Sequence, residues 1–361
     1  MGIDINTGVD TVFLLPMLIR SVKVLVTGGG GFLGCHIINL LQKRGYAVRA
    51  VGRREQPGLV ALGVEFMQGD ISFRDNAYAA VKGVDAVFHV AGRAQMDFDY
   101  RAYYNTNVVG TKNIVRACLL YDVPKLVYTS TPAVVFNGKN LAGCDESLPY
   151  QKYYHWYYTQ TKAMAEECVL KHNSKNLKTV AIRPHLMLGE GDPHFIPNIL
   201  RCLRDKTLKK IGSGKNLVDI TFIENAAYAH LLAFDALDTG IACGKAYFIG
   251  QEKPVNLWNL INTILKCLNF PTVTKKMTFH RAYFLGLFIE SWYKIFHRSR
   301  IPPMTRALAV ALSKDHYFSH ERAQKDLGYT PRITIEQGLE NLIRVLRLQV
   351  QILETSSHAL R

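Results

Sequence analysis

The sequence lacks any apolar run of the roughly 18 residues that a membrane-spanning helix requires. Val12–Ile19 is too short, and Pro16 interrupts it. Paired cysteines are also missing. Cys35, Cys118, Cys144, Cys168, Cys202, Cys243 and Cys267 are scattered, with no C-x-x-C unit and no metal-ligand spacing. This excludes a disulfide scaffold and predicts reduced thiols in a cytoplasmic compartment. No basic stretch opens the chain as in a signal peptide. Met17, ten residues before Thr27, is the expected native start, and residues 1–16 a dispensable tail. Internal repeats and low-complexity linkers are absent. Acidic residues are scarce, 29 against 44 Lys and Arg, giving a net charge of +15. That excess favours anionic ligands or an acidic membrane surface. The basic residues are dispersed and not interleaved with aromatics, which argues against a nucleic-acid partner. What remains, 361 residues with 48% hydrophobic and 20% charged content, is a globular chain long enough for two domains.

The chain is organised around TGGGGFLG, Thr27 to Gly34. An apolar run, Val22–Val26, precedes it, and Leu33, Ile37, Ile38, Leu40 and Leu41 follow at helical spacing. Strand, glycine turn and helix form the context of a dinucleotide-binding loop. Glycines let the backbone approach a pyrophosphate, whose charge the free N–H groups of the helix start stabilise. Two spacings fit: Gly29, Gly31 and Gly34 read G-x-G-x-x-G, whereas Gly28, Gly31 and Gly34 read G-x-x-G-x-x-G. Gly45 is placed to end the helix in the left-handed conformation.

Strands are expected at Ala47–Val51, Val64–Met67, Ala86–His89 and Leu126–Thr129. Asp75 is a candidate cap for a short helix ending at Gly83, and a long helix is expected over Tyr103–Tyr121. The alternation predicts a parallel sheet wound on both sides. After the second strand come Gly52, Arg53 and Arg54. A carboxylate here would bind the ribose 2′-hydroxyl of NAD, whereas an arginine accommodates the 2′-phosphate of NADP. NADP(H) is therefore preferred, with NAD(H) as the alternative. His89 reads as a packed structural histidine, since nothing beside it in sequence would tune it.

A helix over about His155–His172 carries Tyr158 and Lys162, four residues apart on one face. An ammonium near a phenol favours the phenolate and is expected to bring the tyrosine below its reference pKa of about 10. Such a tyrosine passes protons to and from a substrate oxygen.

TGGGGFLG, Gly69-Asp70-Ile71, His89–Gly92, the segment around Asn107, Tyr128–Thr131, Tyr158/Lys162 and Arg183-Pro184 follow one another as in extended short-chain dehydrogenase/reductases. From Val22 to Leu342 the chain resembles that superfamily. Within it the chain is most similar to the 3β-hydroxysteroid dehydrogenase group, and especially to bacterial 2-alkyl-3-oxoalkanoate reductases. The resemblance implies Tyr158 as acid/base, Lys162 as the residue that holds the nicotinamide ribose and biases the tyrosine, and Thr131, or Ser130 in its place, as the hydroxyl that holds the substrate oxygen. It implies cofactor contacts at Gly28, Gly31, Phe32, Leu33, Gly34, Arg53, Asp70, Ile71, Ala91, Asn107, Lys162 and Pro184. Sugar-nucleotide 4,6-dehydratases carry an acidic pair after this threonine. Here Pro132-Ala133 stand there, which removes dehydration chemistry.

The fold class expected is α/β: a doubly wound parallel Rossmann sheet with a smaller, mostly helical C-terminal substrate domain. Residues 1–19 form a tail and 20–185 the Rossmann domain, rejoined at about 216–250; 186–350 form the substrate domain and 351–361 a second tail. Helices are expected at Phe195–Arg204, Glu224–Leu237 and Asn256–Leu268, and strands at Asp219–Ile223 and Ala246–Ile249. Arg281–Leu312 combines bulky apolar residues with Arg281, Lys294, Arg298 and Arg300. It reads as core, as a homodimer contact or as a peripheral membrane contact. The expected activity interconverts a 3-oxo and a 3-hydroxy group on a hydrophobic, anionic small molecule with NADP(H). Steroid or sterol 3β-hydroxy dehydrogenation, sugar-nucleotide epimerisation and non-catalytic NADP(H) sensing are the alternatives.

Overall fold

A computed structural model of the chain describes residues 22–95, 97–154, 156–296 and 301–358. The expected start at Met17, the helix start at His155, and Arg298 and Arg300 lie outside the described residues.

Seven strands form one parallel sheet: β1 (Lys23–Thr27), β2 (Ala47–Gly52), β3 (Glu65–Gln68), β4 (Ala86–His89), β5 (Lys125–Thr129), β6 (Lys178–Pro184) and β7 (Lys245–Ile249). Their order is β3-β2-β1-β4-β5-β6-β7. The order reverses between β1 and β4, and at such a switch point a crevice opens beyond the carboxyl ends of the strands. The period of two in β1 divides the core. Val24 and Val26 pack on one face with Phe88, Ile182 and Tyr247, while Leu25 packs on the other with Val87, Leu126 and Ala181. Fully burying such a side chain is worth about 1.5–3 kcal/mol, so both faces hold the sheet in register.

The principal helices are α1 (Phe32–Lys43), α2 (Arg74–Val81), α3 (Gly110–Leu120), α4 (Tyr157–Lys171), α5 (Ile223–Thr239), α6 (Leu257–Cys267), α7 (Phe279–Phe296) and α8 (Ile335–His358). α1 and α5 cover the Val24 face, and α2, α3 and α4 the Leu25 face. Gly45, at φ +81°, follows α1, and its N–H reaches the Gln42 carbonyl at 2.9 Å.

Several local expectations change. Asp75 caps nothing: Phe73 is the N-cap residue of α2, and Asp75 lies inside the first turn. There its charge still complements the helix dipole. The expected Tyr103–Tyr121 helix is broken by a π-helical turn over Tyr104–Val109, with Thr111 Oγ1 donating to the Asn107 carbonyl. The Asp219–Ile223 strand shrinks to Thr221–Phe222, because α5 already begins at Ile223. α8 runs to His358, into residues expected to form a tail.

The C-terminal part has its own core, around Trp258, Ile261, Ile264, Ile199, Phe222 and Leu342. A small sheet of Val255–Asn256, Leu217–Val218, His316–Phe318 and Leu141–Cys144 ties it to the loop after β5. The core reading of Arg281–Leu312 fails for α7, whose buried residues are Ala282, Gly286 and Glu290. A Cβ on Gly286 would stand 2.6 Å from the Thr305 carbonyl carbon, and Glu290 accepts from Arg306 N at 2.6 Å and Nε at 2.9 Å. The large residues point outward, Phe284 and Phe288 at 65% and 71% exposure with Trp292 and Ile295 beside them. Among the described residues no helix is long and apolar enough to cross a membrane.

Candidate active site

β1 turns into α1 through Gly28 at φ +69°, a left-handed conformation that side chains disfavour. A Cβ on Gly28 would lie 2.9 Å from the Ala91 Cα, and one on Gly34 2.3 Å from the Gly28 carbonyl oxygen. α1 therefore starts hard against the turn. Gly31 is its N-cap, and neither a side-chain cap nor an acidic first-turn residue competes for its N–H groups. Gly28, Gly31, Phe32, Leu33 and Gly34 line a cleft above the sheet, and Gly29 does not. A Cβ on Gly29 would instead meet Ala50 Cβ at 2.7 Å and Ile38 Cδ1 at 2.8 Å. The cleft thus uses the Gly28, Gly31, Gly34 spacing, and Gly29 serves the packing of helix on sheet. Such a backbone cradle, with free N–H groups, fits a dinucleotide pyrophosphate.

At the cleft mouth Arg53 and Arg54 follow β2. Neither forms an ion pair among the described residues. The opposite wall is fixed by a buried chain of hydrogen bonds. Val90 and Ala91 N–H both donate to Thr27 Oγ1 at 3.1 Å, and that hydroxyl meets His89 Nδ1 at 2.7 Å. His89 Nε2 meets Thr111 Oγ1 at 2.9 Å. Because Thr27 Oγ1 accepts both amides it donates to His89, so the ring is neutral with its proton on Nε2. Burial pulls His89 down to about 3. It is a structural histidine that holds Ala91 beneath the cleft.

Tyr158 and Lys162, one turn apart on α4, both line the cleft beside Ser130 and Ala91. The Lys162 ammonium donates to the Thr129 carbonyl and lies 4.2 Å from the centre of the Tyr128 ring. Burial brings Lys162 down to about 7, against the pull of Glu166. Tyr158 moves opposite to the sequence expectation: burial pushes its phenol up to about 12, and the Thr131 hydroxyl opposes this. The Lys162 ammonium is directed at the Thr129 carbonyl, and desolvation of Tyr158 dominates its shift. Thr131 also caps the turn Pro132–Val134, accepting from Ala133 N at 3.3 Å. Ser130 Oγ has no partner of good geometry, yet lies close enough to Glu166 to favour its carboxylate.

Asp70, Ile71, Asn107, Thr131 and Pro184 are not among the cleft-lining residues. Asp70 accepts from Ser72 N at 2.9 Å, and the Ile71 carbonyl is held by Asn113 Nδ2 at 3.0 Å. Asn107 is buried. Its Oδ1 accepts from Arg93 N at 2.7 Å, and its Nδ2 donates to Thr161 Oγ1 at 3.0 Å. In this geometry it ties α4, one residue before Lys162, to the loop after β4.

Beyond Thr131 a second, apolar pocket of about 200 Å³ begins. Its walls include Pro132, Ala133, Phe136, Tyr154, Trp156, Val310, Ala311 and Phe318, with His185 and His316 among them. The Trp156 ring packs 5.5 Å from the Tyr158 ring, which places the tyrosine between the two cavities.

Sequence reasoning missed the clamp behind α4. Glu166, fully buried, accepts from Arg183 Nε at 3.0 Å, Arg183 Nη2 at 2.5 Å and Tyr150 OH at 2.7 Å. Its signal was available, because Glu166 follows Lys162 by four residues on the same helical face. His185 and His316 carried no such signal, being 131 residues apart.

Comparison with known proteins agrees with this geometry. The 3-beta hydroxysteroid dehydrogenase/isomerase family matches residues 25–279. A 2-alkyl-3-oxoalkanoate reductase of Stenotrophomonas maltophilia is 42% identical over 325 residues, 89% of this chain and 98% of that protein. A decarboxylating sterol-4-alpha-carboxylate 3-dehydrogenase of Mus musculus is 35% identical over 331 residues, 90% of this chain and 91% of that protein. A short-chain dehydrogenase/reductase superfamily protein from Agrobacterium tumefaciens with bound NAD has the same fold, with a TM-score of 0.72 at 20% identity over 92% of this chain and 99% of that one. The chain belongs to the 3-beta hydroxysteroid dehydrogenase/isomerase family and is an NAD(P)-dependent oxidoreductase acting on hydroxyl and oxo groups.

Proposed function

We propose that the chain is an NADP(H)-dependent reductase of hydrophobic 3-oxo carboxylic acids, which it converts to the 3-hydroxy acids. The observation that carries this reading is the position of Tyr158, between a glycine-walled cleft with two unpaired arginines at its mouth and an apolar pocket. Arg53 is the residue we assign to the 2′-phosphate. Bound NADPH supplies the hydride. Gly28, Gly31 and Gly34 give the pyrophosphate its backbone donors, and Lys162 reaches the ribose side of the cleft.

With its pKa at about 12, Tyr158 is protonated at neutral pH and able to donate to the alkoxide that develops on the substrate. Thr131, whose hydroxyl favours the ionised form of that phenol, is assigned to share the substrate oxygen with it. A sterol carboxylate substrate is the second reading, favoured by the mouse relative's name and the apolar walls. Both relatives' names specify a carboxylate. The test is NADPH consumption with 3-oxoacids and 3-ketosteroids, beside epimerisation of UDP-sugars followed by product analysis; turnover confined to UDP-sugars would overturn the reading.

We also assign the outward face of α7 to an anionic membrane surface, from its apolar stripe and the basic Arg281 at its start. Salt-sensitive co-sedimentation with anionic vesicles is expected; association only between copies of the chain would replace the membrane with a dimer contact.

A further inference from the structure

His185 and His316 are the titratable nitrogens of the apolar pocket, among whose described lining residues there is no Lys, Arg, Asp or Glu. They are far apart in sequence and make one relay. His316 Nε2 lies 2.8 Å from the Ala311 carbonyl oxygen, and His316 Nδ1 lies 2.7 Å from His185 Nε2. A carbonyl only accepts, so the proton of neutral His316 is on Nε2 and its Nδ1 accepts from His185 Nε2–H. Three of the four ring nitrogens are thereby used, and His185 Nδ1 remains. The rings are held edge-on, 4.9 Å between centres, with Phe136 against His316 and Phe318 against His185.

The backbone that carries His185 is strained. Leu186, the next residue, has φ +29°, a conformation non-glycine residues avoid. His185 N is anchored at 3.2 Å to Thr221 Oγ1 and at 3.3 Å to the Ile249 carbonyl. Strain of this kind persists where surrounding structure over-determines it, and it collects at ligand sites.

We propose that the His185–His316 relay is the polar anchor of the substrate pocket and binds the substrate's carboxylate through His185 Nδ1. The assignment rests on the proposed function, which supplies the acid. Adding a proton to Nδ1 leaves both existing hydrogen bonds of the relay in place, so the pocket gains a cationic donor without rearrangement. Other ligands fit less well. A cation would find no acidic side chain among the described lining residues, and an uncharged chain would leave His185 Nδ1 without a partner.

The electrostatics of the surroundings agree. Burial and neighbouring His316 and His320 hold His185 well below the usual histidine range. Burial also lowers His316, against the pull of Asp219 and Asp315. Asp219 accepts from Phe318 N at 2.8 Å, Asp315 accepts from Leu217 N at 2.7 Å, and the Tyr154 hydroxyl donates to the Val134 carbonyl at 3.1 Å. The relay is therefore neutral near pH 7, and an arriving carboxylate brings the charge that draws a proton onto it.

The experiment compares 3-hydroxydodecanoate with its methyl ester, both oxidised with NADP+, in the wild type and in His185→Gln. A hydrogen bond to a charged group is worth roughly 1.5–3 kcal/mol, so the acid-over-ester preference in kcat/KM should fall about 10- to 100-fold in the variant. Calorimetry on the wild type supplies a readout that needs no turnover. Binding of the acid at pH 7 should take up protons, seen as an enthalpy that changes with the ionisation enthalpy of the buffer; binding of the ester should not. An equal loss for acid and ester, an unchanged preference, or a buffer-independent enthalpy for the acid would overturn the anchor. Wild type that binds the acid with proton uptake but never oxidises it would overturn the proposed function and leave the site standing.

Discussion

The cleft and the apolar pocket meet at Tyr158 and are built in different ways. The critical turn of the cleft is one contiguous stretch, Thr27–Gly34, and what it presents is backbone. The pocket draws side chains from Pro132–Gly138, from Tyr153–Thr159, from His185 and from Ala307–Phe318. A backbone cradle depends on where side chains are absent, so it suits any ligand with the same phosphates. A wall of side chains depends on which ones are present, so it selects. On the proposed reading, the first half serves the dinucleotide and the second selects the substrate.

The largest expected effect falls where the two meet. Tyr158→Phe keeps the ring of Tyr158 and removes its proton, and kcat for 3-oxoacid reduction should drop by about 10²–10⁴-fold while NADPH binding measured by fluorescence persists. A variant that retains most of its turnover would show that the meeting point is structural only.

Next comes the clamp that holds α4 in place for both cavities. Glu166→Ala leaves the Arg183 guanidinium buried without its carboxylate, and breaking a buried pair in this way costs about 3–5 kcal/mol. Denaturant unfolding should show that loss; a change below about 1 kcal/mol, the range of exposed pairs, would contradict the burial argument.

Arg53→Asp tests the cofactor side alone. Loss of one charge-assisted contact, roughly 1.5–3 kcal/mol, should cut the NADPH-over-NADH preference in kcat/KM by about 10- to 100-fold. If the preference is unchanged, the 2′-phosphate is not read at this position.

An effect of another kind, on the whole fold and not on either cavity, is expected on stability in acid. His89 is held down at about 3 and His230 at about 4, both by burial. Below the unfolded value of about 6.5 the unfolded chain binds protons that the native chain refuses. Stability is thus full above that value and falls as pH drops toward 4 and then 3. Unfolding titrations at pH 7, 5.5 and 4.5 should show a progressive decrease, and a flat profile would mean that these histidines take up protons in the native state.

The sheet and the glycine cleft were legible because their determinants are local. Apolar runs, a glycine turn and an i,i+4 pair all report themselves within a short window. Arg53 and the structural reading of His89 came from the same kind of evidence, and the bonds of His89 to Thr27 and Thr111 bear the latter out. The Tyr158 shift was misread because spacing shows which groups are near each other but not how dry they are. Desolvation belongs to the folded state, and here it outweighs Lys162. The apolar length of α7 looked like core because periodicity does not tell which face meets the protein. Ala282, Gly286 and Glu290 are buried in that contact, whereas Phe284, Phe288 and Trp292 are exposed. Relays such as His185–His316 stay silent in sequence because folding alone brings their members together.

The central claim is that Tyr158 serves hydride delivery to the 3-oxo carbon of a hydrophobic acid in the pocket beyond it. Reduction of a 2-alkyl-3-oxoalkanoate with NADPH deuterated at the transferring C4 position tests this most directly, with the product examined by mass spectrometry. The account predicts a 3-hydroxy acid carrying a single deuterium on C3, formed by the wild type and not by Tyr158→Phe within the same time. Product without deuterium, or equal labelled product from both proteins, would contradict it.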